Sequence, residues 1–160
     1  MKNKLSSSTS KANFSQAKVL IIEDNADQWF LIQHAIQPCL REVTPYRAET
    51  PQQALDLLNQ WQYAEWEQPK LILLDLYLPR NSDGWQLLEN IKAMPAPLSH
   101  IPVIMFSSSS DRSDIVKGYE LGIASYLVKP SKVEDWLDFF QRLRLFWWET
   151  ATLPRSGFSF

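Results

Sequence analysis

The sequence predicts an α/β fold: five parallel strands alternating with helices, (βα)5, doubly wound into one open sheet. Three observations predict it. Residues 18–22 (KVLII), 70–74 (KLILL), 102–106 (PVIMF) and 124–128 (ASYLV) are short runs bounded by polar or turn residues. The first three are nearly solid apolar, as strands covered on both faces of a parallel sheet must be. Stretches with helical spacing separate the runs, and that alternation predicts right-handed crossovers in a single sheet.

Each element has its own warrant. Residues 1–16 are rich in Ser, Asn and Lys without periodicity, and read as a disordered leader. The domain then spans 17–148, with a C-terminal tail over 149–160. Asp24-Asn25 precedes the first domain helix. Residues 43–48 (VTPYRA) form a fifth strand carrying Pro45. Proline cannot donate to a ladder, which puts this strand at a sheet edge. Thr50-Pro51 is an N-cap followed by proline at the first helical position, opening a helix over 52–60 with Ala54, Leu55 and Leu58 on one face. Asp83-Gly84 reads as a turn into the helix after the third strand. Gly122 stops the helix that begins near Asp111. Ser131-x-x-Glu134 has the pattern of a capping box, ahead of Val133, Trp136, Leu137, Phe140 and Leu143 at three- and four-residue spacing. Strand order 2-1-3-4-5, the flavodoxin-like order, makes the Pro45 strand an edge.

Composition narrows the function classes. The chain has 160 residues, 45% hydrophobic and 21% charged, which excludes wholesale disorder. A net charge of −2 argues against a nucleic-acid partner. One cysteine, Cys39, rules out a disulfide framework and suits the cytoplasm. No apolar run is long enough for a membrane span. His34 and His100 are expected at the surface. Of the 7 tryptophans, Trp85 and Trp136 are expected in or near the core. Trp61, Tyr63 and Trp66 fall in the polar connection before the third strand.

Ligands of such sheets bind beyond the carboxyl ends of the strands, at the switch point between strands 1 and 3. The residues there are Glu23-Asp24, Asp75, Ser107 and Lys129-Pro130. Three carboxylates, a hydroxyl and an ammonium thus converge on one crevice. Unneutralised, the acids repel one another and raise their pKa values. A hard divalent cation resolves this, and Mg²⁺ needs few protein oxygens because it keeps several waters. Any single acid of this set serves equally well as a helix cap; the five groups together do not reduce to caps.

The motifs Ile22-Glu23-Asp24-Asn25, Leu73-Leu74-Asp75-Leu76-Tyr77-Leu78-Pro79, Val103 to Ser108 and Tyr126-Leu127-Val128-Lys129-Pro130, in this order and spacing, resemble a response-regulator receiver domain of two-component systems. The resemblance covers about residues 17–147, with element boundaries good to about ±2–4 residues. The stretch 146–154 further resembles the tails of cyanobacterial single-domain regulators that partner phytochrome-type kinases. The resemblance implies that Asp75 is the phosphoacceptor and that Lys129 and Ser107 contact the phosphoryl oxygens. It implies Mg²⁺ held by Asp24, Glu23 (through a water), Asp75 and the backbone carbonyl of Tyr77. It also implies a cis Lys129–Pro130 bond, a switch through Ser107 and Tyr126, and control of the hydrolytic water by Tyr77 and Ser109. Two departures stand out. Glu23 replaces the more frequent Asp, and the loop 79–84 is one residue longer than usual. Neither removes a chemical group.

Little chain follows Lys129, so a stand-alone regulator is expected, signalling by protein–protein interaction or phosphorelay. Its partner is then a sensor histidine kinase, phytochrome-type by the tail resemblance, or a histidine phosphotransfer protein. Enzymatic activity beyond self-phosphotransfer and autodephosphorylation is not expected. A phosphatase of the haloacid dehalogenase type wants a second acid two residues past the nucleophile, and Tyr77 stands there. A phosphorylation-independent adaptor has no need of Asp75, Asp24, Lys129 and Ser107 together. Finally, Phe139, Leu145, Phe146, Trp147 and Trp148 exceed what one helix buries on one sheet. They point to a homodimer through the last helix and aromatic tail, or to a tail folded back within the monomer.

Overall fold

A computed structural model describes residues 4–154. The described elements are α1 (Lys4–Phe14), β1 (Lys18–Ile22), α2 (Ala26–Cys39), β2 (Thr44–Ala48), α3 (Pro51–Trp61), β3 (Leu71–Leu74), α4 (Asn81–Lys92), β4 (Val103–Ser107), α5 (Arg112–Glu120), β5 (Ser125–Val128) and α6 (Asp135–Leu143). A π-helical segment, Arg144–Thr150, continues α6. All strands pair in parallel in the order β2-β1-β3-β4-β5. Pro45 lies in β2, at the edge, opposite Val19.

The strands alternate between two cores, as a period of two requires. Leu20, Ile22, Ile72, Leu74, Val103 and Met105 face one side, beneath Ala54 and Leu58 of α3 and Trp85, Leu88 and Ile91 of α4. Val19, Ile21, Leu71, Leu73, Ile104 and Phe106 face the other, beneath Ile32 and Ile36 of α2 and Trp136 and Phe140 of α6. A run buried on both faces must be apolar at every position, which explains the solid runs. At the helix ends, Asn25 caps α2 and Thr50 caps α3, their side chains accepting from the N–H groups of Gln28 and Gln53. Gly122 follows α5 at φ 95°, the left-handed conformation glycine adopts without penalty.

Four local expectations are corrected by the structure. The leader is not disordered over its described part, since Lys4–Phe14 is helical. Tertiary bonding stabilises it: the buried Asn13 amide donates to the carbonyls of Trp148 (2.9 Å) and Ala151 (2.7 Å) and accepts from Leu153 N–H (3.3 Å). Phe14 packs near Trp148, at 6.1 Å between ring centroids. Residues 1–3 lie outside the described residues. Ser131 does not open the last helix; α6 begins at Asp135 with Glu134 as its N-cap and no side-chain cap. With that start, Val133 lies outside the helix and Leu137 is exposed, so the stripe is Trp136, Phe140 and Leu143. Asp83-Gly84 is not a turn but lies in the first turn and a half of α4, where Asp83 Oδ2 accepts from Arg80 N–H. The boundary drawn after residue 148 falls inside the π-helical segment.

The aromatic tail divides. Trp148 (0% exposed) and Leu153 are buried within the chain, and Phe139 and Trp147 pack partly against the same core. Leu145 and Phe146 stay exposed. Trp61 is buried edge-on against Tyr46, whereas Tyr63 and Trp66 are exposed. Both histidines are exposed. No helix among the described residues is long and apolar enough to cross a membrane.

Candidate phosphorylation site

The sheet ladder itself positions the polar groups at the carboxyl edge. Glu23 N–H donates to Ala48 O (3.0 Å), Asp75 N–H to Ile22 O (3.0 Å) and Lys129 N–H to Ser107 O (2.8 Å). Each residue is thus held by the neighbouring strand, one position past its own strand's end or at it. Glu23, Asp75, Ser107 and Lys129 are buried, and Asp24 is exposed. All five groups that the sequence placed at strand ends lie along this edge.

Glu23, Asp24 and Asp75 each bring a carboxylate oxygen within 4.8 Å of the others. The Lys129 ammonium sits between two of them, 2.6 Å from Glu23 Oε2 and 3.3 Å from Asp75 Oδ2. It also donates to Gln28 Oε1 and lies 5.4 Å from the Phe106 ring centroid. Three partners match the three donors of an ammonium, the condition for burying one. Burial pushes the Asp75 carboxyl up to about 7, helped by the Glu23 carboxylate and opposed by Lys129. The Lys129–Pro130 bond, expected to be cis, is trans; cis bonds occur at Leu78–Pro79 and Ala96–Pro97. Lys129 reaches the acids regardless, because its four-carbon stem spans the distance.

The mouth of the site is framed by the residues after β3 and β4. Tyr77 N–H donates to Asp75 Oδ1 (3.3 Å), and the Tyr77 hydroxyl donates to Asp114 Oδ2 (3.2 Å). Ser109 Oγ donates to that same oxygen (2.7 Å), while Ser109 N–H donates to Ser107 Oγ (3.1 Å). Tyr126, half-buried, donates its hydroxyl to Ser109 O (2.8 Å). The two switch candidates therefore meet through one residue, Ser109.

Sequence reasoning missed three contributors. Gln28 solvates Lys129; Arg47 donates to the carbonyls of Glu23 (3.1 Å) and Asp24 (3.4 Å); Asp114 gathers two hydroxyls. Gln28 carried a faint signal, lying three residues past the Asn25 cap and so on the turn facing the strand ends. Arg47 and Asp114 carried none, since one sits on an edge strand and the other in the first turn of a helix, where acids are commonplace.

Chemically, a buried carboxylate beside a fixed ammonium, an acid cluster of hard oxygens and a buried hydroxyl suits phosphoryl transfer, which rests on positioning and charge neutralisation. Comparison with known proteins agrees. Residues 19–141 match the response regulator receiver domain family. The chain is 34% identical over 140 residues to response regulator Rcp1 of Synechocystis sp., covering 86% of this chain and 93% of that protein. It superposes on the crystal structure of the phosphorylated cyanobacterial phytochrome response regulator RcpA with a TM-score of 0.77, at 32% identity, over 88% of this chain and 99% of that one. For the Mn²⁺-bound form of Rcp1 the TM-score is 0.73, at 33% identity, over 86% and 99%.

Proposed function

The chain belongs to the response regulator receiver family, and from that membership we propose that it works as a stand-alone regulator with Asp75 as its phosphoacceptor. The observation that carries this reading is the Asp75 carboxylate, buried at the end of β3 and faced by the Lys129 ammonium at 3.3 Å. An Asp75 oxygen attacks the phosphorus of a kinase phosphohistidine. A P–O bond forms, the P–N bond breaks and the imidazole nitrogen keeps the electron pair. Lys129 then pairs with one phosphoryl oxygen and Ser107 with another. Ser107 and Tyr126, linked through Ser109, form the switch. Fold and family are those of a phosphorylation-dependent response regulator, and a receiver of this kind is not a catalytic enzyme. Self-phosphotransfer and autodephosphorylation are proposed for it.

Three hard oxygens within 4.8 Å fit a divalent cation. Glu23, Asp24, Asp75 and the Tyr77 carbonyl would hold Mg²⁺, whose charge neutralises the acids and the incoming phosphoryl group. By the family likeness, Glu23 is proposed to act through a water. Incubation with Mg²⁺ and acetyl phosphate should add one phosphoryl mass to the wild type. The increment should vanish in Asp75→Asn and in Asp24→Ala. A wild type that takes up no phosphoryl group overturns the reading.

The proposed partner is a histidine kinase in the cytoplasm. The phytochrome type is favoured by the likeness to RcpA, with a histidine phosphotransfer protein as the relay alternative. Output is by protein contact or onward transfer. A homodimer is proposed through the end of α6 and the π-helical segment, where Leu137, Leu145 and Phe146 remain exposed. A twofold interface counts each apolar side chain twice, and each one fully buried contributes about 1.5–3 kcal/mol. Sedimentation at about 50 μM, a concentration suited to micromolar affinity, should show a dimer that Leu145→Glu with Phe146→Glu converts to monomer. A monomeric wild type refutes the interface.

A further inference from the structure

Two loops at the mouth of the site meet through one carboxylate that belongs to neither of them, Asp114 of α5. We propose that Asp114 is a positioning residue: it latches Tyr77 across the mouth and thereby sets the lifetime of the phosphoryl group on Asp75. The proposal rests on Asp75 as phosphoacceptor.

An acid in the first turn of α5 would ordinarily be accounted for by the helix dipole and left in water. Asp114 is instead only 7% exposed. A single oxygen, Oδ2, accepts from two hydroxyls on different loops, Tyr77 at 3.2 Å and Ser109 at 2.7 Å. Hydrogen bonds to an ionised acceptor are about twice as strong as neutral ones, so this oxygen is a firm anchor. Tyr77 is held at both ends, its N–H by Asp75 and its hydroxyl by Asp114. Tyr77 is 38% exposed, so its ring is not in the core; it runs at the surface from the Asp75 end of β3 to Asp114 of α5. Ser109 is held just as fully. Its N–H donates to Ser107, its carbonyl accepts from Tyr126, and its hydroxyl accepts from Asp111 N–H while donating to Asp114. Asp114 therefore fixes the ring beside the phosphoacceptor and the loop carrying the switch hydroxyl in one step.

Hydrolysis needs water to reach phosphorus in line with the bond to Asp75. The water oxygen forms the new P–O bond, the Asp75 oxygen leaves with the electron pair, and the water's proton passes to solvent. A ring pinned over the opening obstructs that approach; a freed ring admits it.

The test follows loss of the phosphoryl mass after acetyl phosphate is removed, in wild type, Tyr77→Phe, Asp114→Ala, Asp114→Asn and the Tyr77→Phe/Asp114→Ala double variant. Tyr77→Phe keeps the ring and removes only its bond to Asp114. Both Tyr77→Phe and Asp114→Ala should speed decay about fivefold, equivalent to about 1 kcal/mol of barrier. The double variant should be no faster than the faster single variant, since both break the same latch. Asp114→Asn, which retains an acceptor oxygen, should decay at a rate closer to wild type. Unchanged decay in Asp114→Ala overturns the proposal, and so do effects that multiply in the double variant, because a merely structural carboxylate would act independently of Tyr77. Wild-type protein that takes up no phosphoryl group overturns the Asp75 reading itself, a result distinct from normal uptake with unaltered decay.

Discussion

Metal-free Asp75→Asn protein should be more stable than wild type at pH 8 and should lose the wild type's fall in stability between about pH 4 and pH 7. The Asp75 carboxyl is raised from its ordinary 3.8 to about 7, by burial first and the Glu23 carboxylate second. Across that interval the unfolded chain has released the proton while the folded chain still holds it. Folding therefore binds a proton, and stability falls as pH rises. Below about pH 4 both states are protonated and the full contribution is present; above about pH 7 it is gone. At 1.36 kcal/mol per pH unit the ceiling is about 4 kcal/mol, and the loss of the Lys129 contact in the variant reduces the net gain to about 1–3 kcal/mol. Lys129 retains Glu23 and Gln28 as partners, so the substitution strands no buried ammonium. Urea unfolding at pH 5, 6, 7 and 8 in the presence of a chelator measures it. Parallel pH profiles for the two proteins would place the slope elsewhere. Millimolar Mg²⁺ should restore wild-type stability at pH 8 by mass action and do little for the variant.

Gly84→Ala should destabilise the protein by about 3 kcal/mol or more, the cost of a core overpacking that cannot relax. Helix propensity alone argues for the opposite sign, since alanine gains about 1 kcal/mol over glycine inside a helix. The contact decides. A Cβ on Gly84 would stand 2.0 Å from Leu76 O, 2.7 Å from its carbonyl carbon and 2.9 Å from its Cα. These are backbone atoms and have no rotamer to yield. Leu76 directly follows Asp75, so what yields must be α4 or the loop that carries the Tyr77 carbonyl. Acetyl-phosphate labelling should therefore slow in whatever fraction of Gly84→Ala still folds. Denaturant midpoints for the two proteins check the sign, and an equal or higher midpoint in the variant would contradict the close approach of α4 to this loop.

Much of the fold was legible along the chain because its causes are local. A strand buried on both faces needs apolar residues at consecutive positions, and 18–22, 70–74 and 102–106 have them. Pro45 at the edge, Thr50 as cap and Gly122 at φ 95° each follow from one residue's backbone chemistry. The acids were legible for the same reason: in a parallel sheet the residue after each strand comes to the carboxyl edge, so residue type and position sufficed to assemble Glu23, Asp24, Asp75, Ser107 and Lys129.

What the sequence did not contain is whatever one element does for another. Residues 4–14 are polar and aperiodic, yet they form a helix because Asn13 bonds to carbonyls more than 130 residues away. Trp148 turns inward and Phe146 does not, although Phe146, three residues past Leu143, has the spacing of the buried stripe and Trp148 does not. Gln28, Arg47 and Asp114 complete the site from a helix, an edge strand and another helix, and only Gln28 carries even a faint mark, its place one turn past the Asn25 cap. Apolar periodicity records how much of a side chain leaves water, so burial is written into the chain. The identity of a polar side chain's partner is fixed only when separate elements pack, which is why the tertiary structure alone decided that Lys129 rests on Gln28 and that Tyr77 is tied to Asp114.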